Sequence, residues 1–99
     1  MNITKTVNGD QLNIALEGRL DTGTAPELEK TLNESLDSIK SLTIDMSKLE
    51  YISSAGLRTL LSAKKALYNK GVVKIVNPNE IVKEVFAVTG FSNIFEIEG

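Results

Sequence analysis

Residues 42–67 change their hydrophobic period partway along, and this change limits the possible folds more than any other feature of the chain. Leu42, Ile44 and Met46 alternate with polar residues, which is typical of a strand with one buried face. From Leu57 onward the apolar residues follow helical spacing. A strand that leads through a short connection into a helix is the building unit of an α/β domain, so we expect this segment to lie at its centre.

The N-terminal part of the chain predicts a β-hairpin. Residues 3–7 are typical of a short strand, and residues 11–17 of a second strand with one apolar side. Between them, Asn8-Gly9 is a favoured pair for a two-residue type I′ turn, because both residues accept positive φ. We expect a loop over residues 18–23.

A first helix is predicted from Thr24-Ala25-Pro26-Glu27, which has the form of a capping box. Thr24 would cap the helix, Glu27 would reach back to the backbone of Thr24, and Pro26 is tolerated in the first turn. The helix is expected to run to about Ile39. Its buried residues follow spacings of four, four and three: Leu28, Leu32, Leu36 and Ile39.

The second half of the chain repeats the pattern of a helix end, a strand and a new helix. Residues 69–71 are typical of a helix end, with Gly71 in the left-handed conformation. Residues 72–76 predict a strand, and a last short strand is expected over residues 94–97.

Between these two strands, Asn77-Pro78-Asn79-Glu80 predicts the start of a third helix. Asn77 can cap it, Pro78 suits the first helical position, and Glu80 faces the positive end of the helix. A broad apolar stripe on this helix is expected to face the core: Ile81, Val82, Val85, Phe86 and Val88.

These elements give the order ββαβαβαβ in one domain over residues 1–99. The order predicts an α/β fold with a single-layer mixed sheet of about five strands, the first antiparallel and the rest parallel. Right-handed crossovers that always step to the next strand place the helices mainly on one face. The alternating strands support this, since a sheet covered on both faces would need continuous apolar runs.

Charge and hydropathy exclude several classes of partner. The net charge is -2, with basic and acidic residues interspersed, so no basic face is available for nucleic acid. No apolar run approaches the ~18 residues of a membrane span, and the first residues lack the apolar core of a signal peptide. We expect a cytoplasmic protein without membrane or nucleic-acid contacts, as a monomer or a weak dimer.

The chain contains neither cysteine nor histidine. Disulfides, thiol nucleophiles and thiolate zinc sites are therefore excluded, as is the usual general base of serine hydrolases. Neither a P-loop nor a Gly-x-Gly-x-x-Gly turn is present. We expect no catalytic residues, no metal and no cofactor.

Two adjacent serines, Ser53 and Ser54, stand where the central strand passes into the central helix, followed by Ala55-Gly56. One serine suffices as a helix cap, which stabilises by about 1 kcal/mol and needs no further role. A second serine and a first turn with minimal side chains indicate instead a surface that is open to a close partner.

The residues of this junction resemble the signature of the anti-sigma factor antagonists, the STAS domain family. The signature covers a strand end and a helix start: Asp45-Met46-Ser47 and Ile52-Ser53-Ser54-Ala55-Gly56-Leu57. A second family element is similar to Gly18-Arg19-Leu20-Asp21 with Ala25. The resemblance extends over nearly the whole chain, and the family's fold agrees with the element order above.

The resemblance implies a phosphorylation site at Ser54, with Ser53 as the alternative because it replaces the family's aspartate. It also places an acidic loop residue at Asp21, near the phosphorylated serine. Asp21 has a second interpretation, as a loop carboxylate that caps the following helix. The predicted partner-binding residues are Asp21, Ser53, Ser54, Ala55, Gly56 and Arg58.

The implied function is that of an anti-sigma factor antagonist. Its unphosphorylated form would bind an anti-sigma factor with serine kinase activity and thereby free the sigma factor. Phosphorylation would abolish binding, and a serine phosphatase would reset the cycle. The alternative is an accessory STAS subunit of a transport or stress-signalling complex without a phosphorylation switch.

Overall fold

The computed structural model describes all 99 residues and confirms the predicted order of elements. The strands are β1 (Asn2–Asn8), β2 (Gln11–Leu20), β3 (Ser41–Ile52), β4 (Val72–Val76) and β5 (Glu96–Glu98). They form one sheet in this order, with β1 antiparallel to β2 and the other pairs parallel. None of the helices combines the length and the apolar content that crossing a membrane requires. The helices are α1 (Ala25–Asn33), α2 (Ser54–Ala66) and α3 (Glu80–Thr89), with 3-10 turns at Leu36–Ser38 and Phe91–Asn93.

One face of the sheet is buried and the other is not. The inward residues of the three central strands are almost completely inaccessible, whereas their neighbours Asn13, Thr43 and Lys74 keep exposed surface on the opposite face. The hydrophobic core thus lies between one sheet face and the helices, as the alternation predicts. Its strand residues are Leu12, Ile14, Leu16, Leu20, Leu42, Ile44, Met46, Leu49, Ile52, Val73 and Ile75.

The hairpin turn lies one residue later than predicted. Asn8 pairs with Gln11, so the two turn residues are Gly9 and Asp10. Gly9 is the one turn residue with positive φ, at 63°. The prediction of a type I′ turn at Asn8-Gly9 is therefore wrong, because Asn8 belongs to β1.

Strands β2 and β3 are both longer than the alternation predicts, and this lengthening forms the edge of the sheet described below. β2 continues to Leu20, since its residues pair with β3 as far as Ile52, and the loop predicted to begin at residue 18 is shorter. At each of two register shifts β3 has one residue more than β2. Within the first shift, the backbone N–H of Ser47 donates to the Asp45 carboxylate at 2.9 Å. The Asp45 side chain therefore stabilises the irregular backbone at this point of β3.

The predicted capping box of α1 is wrong. The Thr24 hydroxyl makes no cap bond; it donates to the carbonyl of Arg19 at 2.8 Å and accepts from the N–H of Asp21 at 2.9 Å. The helix also ends at Asn33, before the predicted Ile39, and a 3-10 turn follows. All four predicted apolar residues are nevertheless buried: Leu28, Leu32, Leu36 and Ile39.

The connection from α2 to β4 contains a glycine, Gly71, at a position where no side chain fits. The left-handed residue is Asn69, with φ of 68°, and not Gly71. A Cβ atom on Gly71 would lie 1.9 Å from the carbonyl oxygen of Lys40, so the close approach of two backbones excludes any side chain there.

Helix α3 begins two residues later than predicted. Its cap is Asn79, whose side chain accepts from the N–H of Val82 at 2.8 Å, while Asn77 takes a left-handed conformation with φ of 57°. The buried stripe of α3 is narrower than predicted, because Ile81 and Val88 are exposed. The last strand starts at Glu96 rather than at residue 94, after the second 3-10 turn.

Candidate functional site at the N-terminus of α2

The C-terminal ends of β2 and β3 bring the predicted site residues to one edge of the sheet. Leu20 pairs with Ile52 in the parallel register, and the N–H of Ser53 donates to the carbonyl of Leu20 at 2.9 Å. Asp21 directly follows Leu20, and Ser53 directly follows Ile52. The loop carboxylate and the two serines therefore leave the sheet side by side.

The two serines have different surroundings. Ser53 is the N-cap residue of α2, with extended backbone (φ -102°, ψ 176°), and its carbonyl accepts from the N–H of Leu57 at 3.0 Å. Its hydroxyl oxygen is buried without a hydrogen-bond partner and makes no cap bond. Ser54 is the first helical residue and is exposed. Of the two serines, Ser54 is the exposed one, and the hydroxyl oxygen of Ser53 is buried.

The positive end of α2 has no compensating group on the helix itself. The first N–H groups of a helix have no intrahelical acceptor, and the aligned peptide dipoles make that end electropositive. At α2 no side chain caps these groups, and no acidic residue stands in the first turn. A negatively charged group on Ser54 would therefore lie in a favourable position.

Gly56 packs against the strands and does not face a partner. It is buried, and a Cβ atom in its place would lie 2.6 Å from Cγ of Leu20 and 2.9 Å from Cγ1 of Ile52. The glycine allows the first turn of α2 to rest directly on the ends of β2 and β3. The expectation that Gly56 leaves a bare contact surface is therefore wrong, whereas its neighbour Ala55 keeps part of its surface accessible.

Asp21 shapes the loop that follows β2. One of its carboxylate oxygens accepts from the N–H groups of Gly23 at 3.0 Å and Thr24 at 3.2 Å. The other oxygen lies 3.9 Å from Nε of Arg19, and 37% of the side chain is exposed. Asp21 is therefore a loop carboxylate, but the interpretation that it caps the following helix is wrong, because both N–H groups precede α1 and α1 has no side-chain cap. Part of its side chain remains exposed.

Arg58 lies one turn after Ser54 on the same face of α2, since residues four apart are neighbours on a helix surface. It is exposed and takes part in none of the four ion pairs of the structure. A guanidinium without an ion pair therefore lies on the same helix face as the exposed serine.

Two features of this edge are not apparent from the sequence pattern. Arg19 stacks its guanidinium over the ring of Tyr51 at 4.5 Å, a contact that follows from their pairing between β2 and β3. Asn79 donates from its side chain to the carbonyl of Leu49 at 2.9 Å while it caps α3. An asparagine after proline signals a cap, but its second contact depends on the unpredicted length of β3.

The fold and this site define the class of small single-layer α/β domains that carry an exposed serine at the start of the helix after the central strand. The family model of the STAS domain matches residues 2–99. The chain belongs to the STAS domain family.

Relatives within this family are anti-sigma factor antagonists. A candidate anti-sigma factor antagonist, BtrV of Bordetella bronchiseptica, is 33% identical to this chain over 99 residues. The match covers 98% of this chain and 85% of BtrV. The anti-sigma-B factor antagonist of Staphylococcus aureus is 25% identical over 99 residues, covering 98% of this chain and 92% of the relative.

A solved structure gives the same fold at lower sequence identity. The Bacillus protein SpoIIAA in its phosphorylated form superposes with a TM-score of 0.77 at 17% identity, covering 97% of this chain and 90% of that one. The likeness confirms the fold class that the element order predicts.

Proposed function

We propose that this protein is an anti-sigma factor antagonist that is switched off by phosphorylation of Ser54. The unphosphorylated form binds an anti-sigma factor with serine kinase activity, and the sigma factor is released. The names of BtrV and of the Staphylococcus aureus relative support this role. The protein acts as a binding partner and a kinase substrate, with no catalysis of its own.

The observation that carries the proposal is the contrast between the two serines. A kinase needs access to the hydroxyl oxygen, and Ser54 is exposed whereas the Ser53 oxygen is buried. Ser54 is therefore the acceptor in this proposal. SpoIIAA, which has this fold, has been solved in a phosphorylated form.

The switch follows from the electrostatics of a helix end. Phosphate brings about -1.5 to -2 charges at neutral pH, and the free N–H groups and dipole of α2 stabilise that charge in the isolated domain. Docking against a partner would require the same anion to lose its water. A desolvation penalty of only ~3 kcal/mol weakens binding by a factor of about a hundred or more.

The surface used for binding includes the exposed or partly exposed residues around that helix end, which are Asp21, Ser54, Ala55 and Arg58. Ser53 contributes through its backbone, which fixes the start of α2 on β2. A serine phosphatase removes the phosphate and restores binding. The cycle thus needs a kinase partner and a phosphatase, and no metal or cofactor bound by this chain.

The test is phosphorylation by the anti-sigma factor kinase of the same organism, with ATP and detection by mass spectrometry. We expect one phosphate on the wild-type chain and on Ser53→Ala, and none on Ser54→Ala. Modification that persists in Ser54→Ala but is lost in Ser53→Ala would contradict the assignment. No modification of any variant by a kinase that binds the chain would favour an accessory subunit without a phosphorylation switch.

A further inference from the structure

Arg58 has no polar partner in the unphosphorylated protein. Its side chain is exposed, makes none of the ion pairs of the structure, and donates no hydrogen bond within the chain. The other arginine at this edge is engaged, because Arg19 stacks on Tyr51 at 4.5 Å and lies 3.9 Å from a carboxylate oxygen of Asp21. Arg58 is therefore the free cation nearest in sequence to Ser54.

The spacing between Ser54 and Arg58 suits a pair on the helix surface. Side chains four residues apart have Cβ atoms about 5–6 Å from each other, and the pair is stronger when the anion precedes the cation. A guanidinium also matches the oxygens of a phosphate with two parallel hydrogen bonds. Ser54 as the first helical residue and Arg58 in the next turn satisfy both conditions.

We propose that Arg58 is the internal counter-ion of the phosphate on Ser54. The inference rests on the proposed function, since it concerns phosphate at that serine. Phosphorylation then changes the partner surface twice, because it adds an anion and also withdraws a free guanidinium from it. The unmodified surface offers a cation beside a hydroxyl, and the modified surface offers a closed ion pair at the tip of α2.

Phosphoserine inserted at position 54 during translation tests the pair without a kinase. The phosphorylated chain is compared as wild type, as Arg58→Gln, and as Lys65→Gln. Lys65 is a matched control, because it is an exposed cation of the same helix that lies about 16 Å from Ser54 along the helix axis. Phosphorus NMR titration measures the phosphate directly, and thermal unfolding measures what phosphorylation adds to stability.

A guanidinium beside the phosphate favours the dianion. We expect the titration midpoint to lie roughly 0.2–0.4 pH unit lower in the wild type and in Lys65→Gln than in Arg58→Gln. We also expect Arg58→Gln to lose roughly 2–4 °C of the rise in Tm that phosphorylation gives. Equal midpoints in wild type and Arg58→Gln would overturn the proposal, as would an effect of Arg19→Gln in place of Arg58→Gln.

Binding of the anti-sigma factor kinase to the same samples separates this inference from the proposed function. If phosphoserine abolishes binding but the midpoint does not depend on Arg58, the switch stands and the pair is refuted. If the midpoint depends on Arg58 but phosphorylated and unmodified chains bind equally, the pair stands and the switch is refuted.

Discussion

The N-termini of α2 and α3 lie at the same edge of the sheet and are finished in opposite ways. At α3 the cap residue Asn79 bonds the helix, and Glu80 places a carboxylate in the first turn. At α2 the cap residue Ser53 makes no side-chain bond, and the first turn carries no acid. The third helical residue is the large, buried Val82 in α3 and Gly56 in α2.

This difference separates a helix end built for stability from one left open. The side chains of α3 satisfy its own backbone and tie it to β3, since Asn79 also donates to Leu49. The end of α2 is held by close packing of Gly56, while its electropositive tip and its exposed hydroxyl remain available. A negative charge added at such an open helix end interacts favourably with its free N–H groups.

Replacing Gly56 of α2 by valine, the residue at the equivalent position of α3, should have the largest effect on stability. Gly56→Val would force side-chain atoms against Leu20 and Ile52, and we expect a loss of about 2–3 kcal/mol in the free energy of unfolding. Chemical denaturation measures it. Ala55→Val is the control, because Ala55 keeps accessible surface, and a loss as large as that of Gly56→Val would contradict the packing account.

Removing the satisfied cap of α3 should have the next largest effect. Asn79→Ala deletes the bond to Val82 and leaves the Leu49 carbonyl without its side-chain donor, so we expect a loss of about 1–2 kcal/mol. Thermal or denaturant unfolding checks this value. Asn77→Gly, on the other side of Pro78, should cost much less because glycine accepts the left-handed backbone. Equal losses would mean that α3 is capped differently.

Removing the unused hydroxyl at α2 should have the smallest effect. A serine that caps a helix loses about 1 kcal/mol on mutation to alanine. Ser53→Ala removes a buried oxygen without a partner, so we expect the free energy of unfolding to change by less than about 0.5 kcal/mol. Denaturant unfolding beside Asn79→Ala gives the comparison directly. A loss as large as that of Asn79→Ala would show that Ser53 caps α2 after all.

The sequence predicts the order of elements and the core because both follow from hydrophobic period. Leu42, Ile44 and Met46 are fully buried, as their alternation requires. Hydrophobic period does not determine the length of a strand. β3 extends to Ile52 through two bulges that no local sequence pattern indicates. The edge that carries the site is formed by this unpredicted extension.

Caps are predicted less well because several residues compete for them. Asn77 and Asn79 both flank Pro78, and the structure selects Asn79 since its side chain also reaches the carbonyl of Leu49. The junction itself was recognisable, but the different surroundings of Ser53 and Ser54 depend on how β3 pairs with β2. Tertiary contacts thus decide which of two adjacent hydroxyls is accessible.

The central claim is that a negative charge at the open end of α2 prevents a partner from docking. Calorimetric titration of the anti-sigma factor kinase with wild type, Ser54→Ala and Ser54→Asp tests it most directly. We predict that Ser54→Ala binds as the wild type does and that Ser54→Asp binds roughly a hundredfold more weakly. Equal affinities for Ser54→Ala and Ser54→Asp would contradict the account.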